Sequence, residues 1–134
     1  MKIGFVASAF DLCHAGHLVM LKEARENCDY LICALHVNPK LERPEKNKPI
    51  ETSSERYIRL RGLSYVDEVI PYETEDELYQ LLLLLKPNIR FLGSDYVGEE
   101  FTGKGLSHIE IHYCERLHNV STSNLRSKII ASLS

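Results

Sequence analysis

Absences narrow the class of this 134-residue chain before any motif is considered. It has no apolar run long enough to cross a bilayer, and the opening stretch meets Asp11 too early for a signal peptide. That pattern predicts a soluble protein with no membrane partner. Charge of one sign is also missing: 16 Lys and Arg stand against 19 Asp and Glu, interspersed, for a net charge of -3. A polyanionic nucleic acid demands a broad basic face, so no such partner is expected, although a small local anion site stays open. The four cysteines form no C-x-x-C pair and most have apolar neighbours, which suits reduced thiols in a cytoplasmic protein. Internal repeats and low-complexity tracts are absent as well. With 44% hydrophobic residues, the chain fits one compact domain over residues 1–134.

What is present alternates. Ile3 to Ser8 and Tyr30 to His36 are short apolar runs, and between them lies a segment with helical spacing, His17 to Asn27. Near-continuous hydrophobicity predicts strands covered on both faces, as a parallel sheet requires. From Asn38 to Ser54 the chain is polar and broken by Pro39, Pro44 and Pro49, which predicts a loop. Thr52 with Glu55, and Thr74 with Glu77, have capping-box spacing ahead of two helices, one ending near Gly62 to Ser64 and one at Lys86. Strands are predicted at Val66 to Pro71, Ile89 to Leu92 and Ile109 to Tyr113, and Ser121 is placed to cap a final helix. The expected fold is α/β: a single Rossmann-like open parallel sheet of five strands with helices on both faces. Right-handed crossovers then gather the loops after strands one, four and five at one end.

The first of those loops, Ser8-Ala9-Phe10-Asp11-Leu12-Cys13-His14-Ala15-Gly16-His17, is the richest in chemistry. Two imidazoles three residues apart occupy neighbouring positions on one helical turn. A helix start already offers unpaired N–H groups and partial positive charge, so imidazole donors there build a phosphate site, which Gly16 leaves open.

Phe10-Asp11-Leu12 followed by His14-x-Gly-His17 resembles the H-x-G-H motif of the cytidylyltransferase family within the nucleotidyltransferase superfamily. Three later blocks keep the family's order: Tyr65-Val66-Asp67-Glu68-Val69-Ile70-Pro71, Gly93-Ser94-Asp95-Tyr96, and Arg116 followed by Val120-Ser121-Thr122-Ser123. Together they resemble glycerol-3-phosphate cytidylyltransferases most. The resemblance implies an enzyme that joins CTP to a phosphorylated alcohol, glycerol 3-phosphate first among them, giving CDP-glycerol and pyrophosphate. It implies Mg²⁺ travelling on the triphosphate with no direct protein ligand, and a homodimer. By the same resemblance His14, His17 and Lys46 are catalytic. Ala9, Phe10, Asp95, Arg116, Ser121 and Thr122 join the two histidines around the nucleotide. Asp11, Lys46, Arg56 and Asp67 face the acceptor. Lys40, Arg43 and Lys48 share the Pro-broken loop with Lys46.

Three departures bear on the acceptor: Ser64 replaces an arginine common before Tyr-Val-Asp, Asn38 replaces an aspartate, and the loop after Asp95 is longer. Other readings stand beside the first. Adenylyltransferases share H-x-G-H and a similar Ser-Thr block, so ATP and other phospho-alcohols or sugar phosphates are alternatives. A different class of function would make Asp11, His14 and His17 a metal-binding module. Gly98-x4-Gly103-Lys104 imitates a phosphate loop but has Gly105 where Ser or Thr is needed, and His108-x-Glu110-x-His112 reads more simply as the polar face of an edge strand than as a zinc site.

Overall fold

Five strands form one all-parallel sheet in the order β3-β2-β1-β4-β5, with β1 at Ile3–Ser8, β2 at Tyr30–His36, β3 at Glu68–Tyr72, β4 at Ile89–Gly93 and β5 at Glu110–Cys114. Among the described residues four α-helices connect and flank them: α1 at Ala15–Glu26, α2 at Ser53–Arg61, α3 at Glu75–Leu85 and α4 at Thr122–Ser132. This computed structural model describes residues 1–39, 48–115 and 122–133. Register runs Ile3 opposite Tyr30 through Ser8 opposite Leu35, so β1 and β2 end together beneath the first loop.

The side-chain period of two divides the sheet between two cores. Val6, Leu31, Cys33, Leu35, Ile89 and Phe91 face Leu21 and Ala24 of α1 and Leu60 of α2. Phe5, Ile32, Ala34 and Tyr72 face Leu78 and Leu82 of α3. Both faces of the sheet are therefore buried, which is why β1 and β2 read as unbroken apolar runs. Arg90 lies between Ile89 and Phe91 and so turns toward the face of α3, where it is only 4% exposed.

The predicted elements are all found, β1 and β2 with their expected ends and the others within three residues of theirs, while Ser121, the expected cap of the last helix, lies outside the described residues. Helix α1 starts at Ala15 because His14, in extended conformation, is its cap and its Nδ1 accepts the Gly16 N–H. At α2 the full capping box forms, Thr52 accepting from Glu55 N–H and Glu55 accepting from Thr52 N–H. The second expected box is only half made. Thr74 accepts from Glu77 N–H, whereas the Glu77 carboxylate accepts from Glu73 N–H, one residue before the cap.

Candidate active site

Phe10, Leu12 and Cys13 all take positive φ between β1 and α1 (51°, 61° and 22°). A non-glycine residue held there costs roughly 1–2 kcal/mol, so neighbouring bonds must impose the path. They come from far along the chain. Asp11, 4% exposed, accepts the N–H groups of Ile50 and Glu51 at 2.9 and 3.0 Å and faces Arg126 of α4 at 3.2 Å. Glu51 returns the contact by accepting Leu12 N–H at 2.8 Å, and its other oxygen meets Arg59 at 2.6 Å. Arg126 also donates to the Lys48 carbonyl at 2.5 Å. One network thus ties the first loop, the end of the Pro-rich segment and the last helix together.

The loop delivers His14 and His17 as a stacked pair, ring centroids 4.0 Å apart and planes 21° from parallel. Phe10, buried, supports His17 at 5.6 Å. Because His14 Nδ1 accepts from Gly16 N–H at 3.1 Å, the neutral ring carries its proton on Nε2 and presents a donor.

Above the carboxyl ends of the strands opens a cleft of about 850 Å³. Ala9, Phe10, Asp11, His14, His17, Asp95 and Arg126 all line it. Asp95 sits close against Gly93, where a Cβ would come within 2.7 Å of its carboxylate, so glycine is what lets the acid occupy that place. Cys114 and Glu115 bring the end of β5 to the same cleft. The loops after strands one and four converge as expected; of the loop after strand five, also expected there, only Glu115 is described, and it lines the cleft. The reading missed that β2 and β3 contribute too, through His36 and Tyr72, whose rings stack at 4.6 Å.

Two residues expected at the acceptor are placed elsewhere. Arg56 is 2% exposed and, among the described residues, bonds only backbone carbonyls, Nε to Glu51 and the terminal nitrogens to Ala9, His36 and Val37. It does not line the cleft, but fastens the ends of β1 and β2 to α2 from below. Burial lowers its pKa, opposed by the charges of Asp11 and Glu51. Asp67 precedes β3 at the amino ends of the strands, away from the cleft, accepting Leu31 N–H at 2.8 Å beside Arg25 at 3.6 Å. From this position it does not border the cleft. Lys46, Arg116 and Ser121 lie outside the described residues, as do Lys40 and Arg43, and only the backbone of Thr122 is described, opening α4.

Sequence reasoning also missed Arg90, Glu75 and Arg126. Arg90 donates to the Thr102 carbonyl and lies over Phe101 at 5.2 Å from the ring centroid. Desolvation lowers its pKa, against the raising influence of Tyr72, Glu75 and Tyr96. Glu75 accepts from the Thr102 hydroxyl at 2.8 Å. An arginine inside an otherwise apolar strand, Ile89-Arg90-Phe91-Leu92, was the available signal, since such a charge is almost never buried unless it is paired. The phosphate-loop imitation dissolves: Gly98 and Gly103 make positive-φ turns and Lys104 bonds the Glu99 carbonyl and Glu100.

A family model described as cytidylyltransferase-like matches residues 5–128. Among curated proteins, the bifunctional protein HldE of Helicobacter pylori (strain HPAG1) is 36% identical over 129 residues, and that of Aliarcobacter butzleri (strain RM4018) 32% over 129. Each match covers 96% of this chain and 27% of the relative, so the chain spans about a quarter of their length. The fold is shared with a solved lipopolysaccharide core biosynthesis protein from Thermoplasma volcanium GSS1, at a TM-score of 0.68 and 24% identity over 87% of this chain and 97% of that one.

Proposed function

Since the chain belongs to the cytidylyltransferase-like family, we propose that it transfers the nucleotidyl group of a nucleoside triphosphate to the phosphate of a small acceptor. An acceptor phosphate oxygen attacks the α-phosphorus, the bond from that phosphorus to the bridging oxygen breaks, and pyrophosphate leaves with the electron pair. No covalent enzyme intermediate is needed, so the protein's work is positioning and charge stabilisation.

The observation that carries this reading is the meeting of the stacked His14–His17 pair with α4, through Arg126, in one cleft. Charge develops on the bridging oxygen and β-phosphate as the bond breaks. Donors fixed there beforehand favour the transition state over the ground state. His14 Nε2–H is such a donor, and Arg126 adds a cation beside the helix start where Ser121 and Thr122 are proposed to hold phosphate oxygens. Lys46 and Arg116 are proposed to neutralise the same phosphates.

A divalent cation, Mg²⁺, would spread the triphosphate's charge. Both Asp11 oxygens already take N–H bonds, which fits an ion held by phosphate oxygens rather than by this side chain. The same occupancy weighs against the metal-binding module of Asp11, His14 and His17.

CTP with glycerol 3-phosphate is the first pairing to test, from the motif blocks. The HldE relatives keep ATP and other phospho-alcohols or sugar phosphates beside it, because they carry a different name over the same 96% of the chain. A matrix of CTP and ATP against glycerol 3-phosphate and several sugar phosphates, read by pyrophosphate release, decides. Silence across the matrix would reject nucleotidyl transfer to these acceptors, and turnover with ATP alone would replace the base. Homodimer formation belongs to the same proposal and is read by light scattering.

A further inference from the structure

Bordering the same cleft through Cys114, α1 and β5 bring together a carboxylate, an imidazole and a thiol. Glu23 lies on α1, and His112 and Cys114, two residues apart, project from the same face of β5 toward it. One ligand-type atom from each, an oxygen, a ring nitrogen and a sulfur, lies within 4.8 Å of the other two. His112 Nε2 and Glu23 already touch at 2.6 Å. This set is distinct from the His108-x-Glu110-x-His112 pattern visible in the sequence: His108 precedes the strand, and Glu110 is exposed and pairs with Lys2 at 3.9 Å.

We infer that Glu23, His112 and Cys114 form a site for a borderline-soft divalent cation, zinc above all. The donor set decides the metal class. Sulfur and imidazole nitrogen select zinc-like ions over magnesium or calcium, and three protein ligands leave a fourth position to water. Tetrahedral bonds of about 2.0–2.3 Å set neighbouring ligand atoms about 3.3–3.8 Å apart, so side-chain shifts of roughly 1 Å convert the present arrangement into a coordinating one. All three ligands stand on regular elements, which fixes their backbone positions. The Phe91 ring meets His112 edge-on at 5.3 Å and limits how its imidazole can turn. Entry is available, since the side chains of His112 and Glu23 are 30% and 33% exposed, while buried Cys114 borders the large cleft. Cys114 binds as thiolate, its proton passing to solvent. The ion would clamp α1, which carries His17, to the strand that closes the cleft, and so acts on the rigidity of the site rather than on the reacting atoms.

Cobalt(II) added to metal-stripped protein is the probe, because thiolate ligation gives a near-ultraviolet charge-transfer band that imidazole and carboxylate do not. The expected result is a band saturating at one ion per chain, displaced by zinc, absent in Cys114→Ser and weakened about tenfold or more in affinity in His112→Asn. Circular dichroism and melting of the metal-free variants show whether they remain folded. Zinc should raise the melting temperature of the wild type and leave folded Cys114→Ser unchanged. The inference is overturned if cobalt gives no band, or if the band survives in Cys114→Ser, since Cys13, Cys28 or Cys33 would then supply the sulfur. If Cys114→Ser is unfolded, Glu23→Gln in the same titration decides: undiminished cobalt affinity rejects the site, and a loss of about tenfold or more supports it.

Discussion

At the scale of single residues, the stacked His14–His17 pair lines the cleft while buried Asp11 accepts the N–H groups of Ile50 and Glu51 and holds the loop beneath it. His14 and His17 announce themselves because three-residue spacing at a helix start has a chemical meaning on its own. Asp11 does not reveal from sequence that its partners are Ile50 and Glu51, 39 and 40 residues away, and Arg126, 115 residues away. Nor does the sequence reveal that Arg56, given to the acceptor by resemblance, donates to the carbonyls of Glu51, Ala9, His36 and Val37. Two expectations follow at this scale. His17→Ala should lower kcat about 100- to 1000-fold while the melting temperature stays near wild type, because a donor preorganised for the transition state is lost. A rate within a few-fold of wild type in pyrophosphate release would remove His17 from the chemistry. Asp11→Ala should instead destabilise the fold by about 3 kcal/mol, since it strips two backbone N–H groups and a partly buried arginine of their acceptor. Urea unfolding measures this, and a change under 1 kcal/mol would mean that the loop's positive-φ path is held by other means.

Elements were legible because their signals lie within a few residues of themselves. Thr52 and Glu55 satisfy the start of α2 reciprocally, as their spacing requires. Thr74 and Glu77 share the spacing but not the outcome: Glu77 takes Glu73 N–H instead, a choice set by the approach of the chain from β3 that no four-residue pattern encodes. Burial does not drive the Glu55 shift. Its carboxyl is held below the ordinary carboxylate range, chiefly by the Thr52 backbone N–H and next by the Thr52 side chain. A carboxyl with a depressed folded-state pKa stabilises above its unfolded value, about 4.3, and that contribution fades as pH falls through the lower folded value. Glu55→Ala should therefore melt below wild type at pH 6–7, and the gap should narrow toward pH 3. A gap that stays constant over that range would place the effect in helix propensity rather than in the charged cap.

For the whole molecule, parallel strands buried on both faces force the topology, and the topology forces every strand's carboxyl end, and so the first loop and the strand ends facing α4, to one side. That convergence was foreseeable from alternation alone. The contributions of His36, Tyr72 and Arg90 were not, because they depend on which strands become neighbours, and the order β3-β2-β1-β4-β5 is a property of packing rather than of any segment. If the cleft holds a triphosphate between α1 and α4, binding must stabilise the fold as a unit. At a hundredfold excess over Kd, CTP or ATP with Mg²⁺ adds about 2.7 kcal/mol, which for a domain of this size raises Tm by about 10 °C. Arg126→Ala should lose most of that rise, because it removes the cation that α4 contributes to the cleft and the bridge to Asp11. Differential scanning calorimetry in metal-stripped buffer containing only Mg²⁺ checks both. Protection that appears with a transition metal alone, needs no triphosphate and persists in Cys114→Ser would move the first loop's histidines from phosphate binding to metal binding, and with them the function of the whole domain.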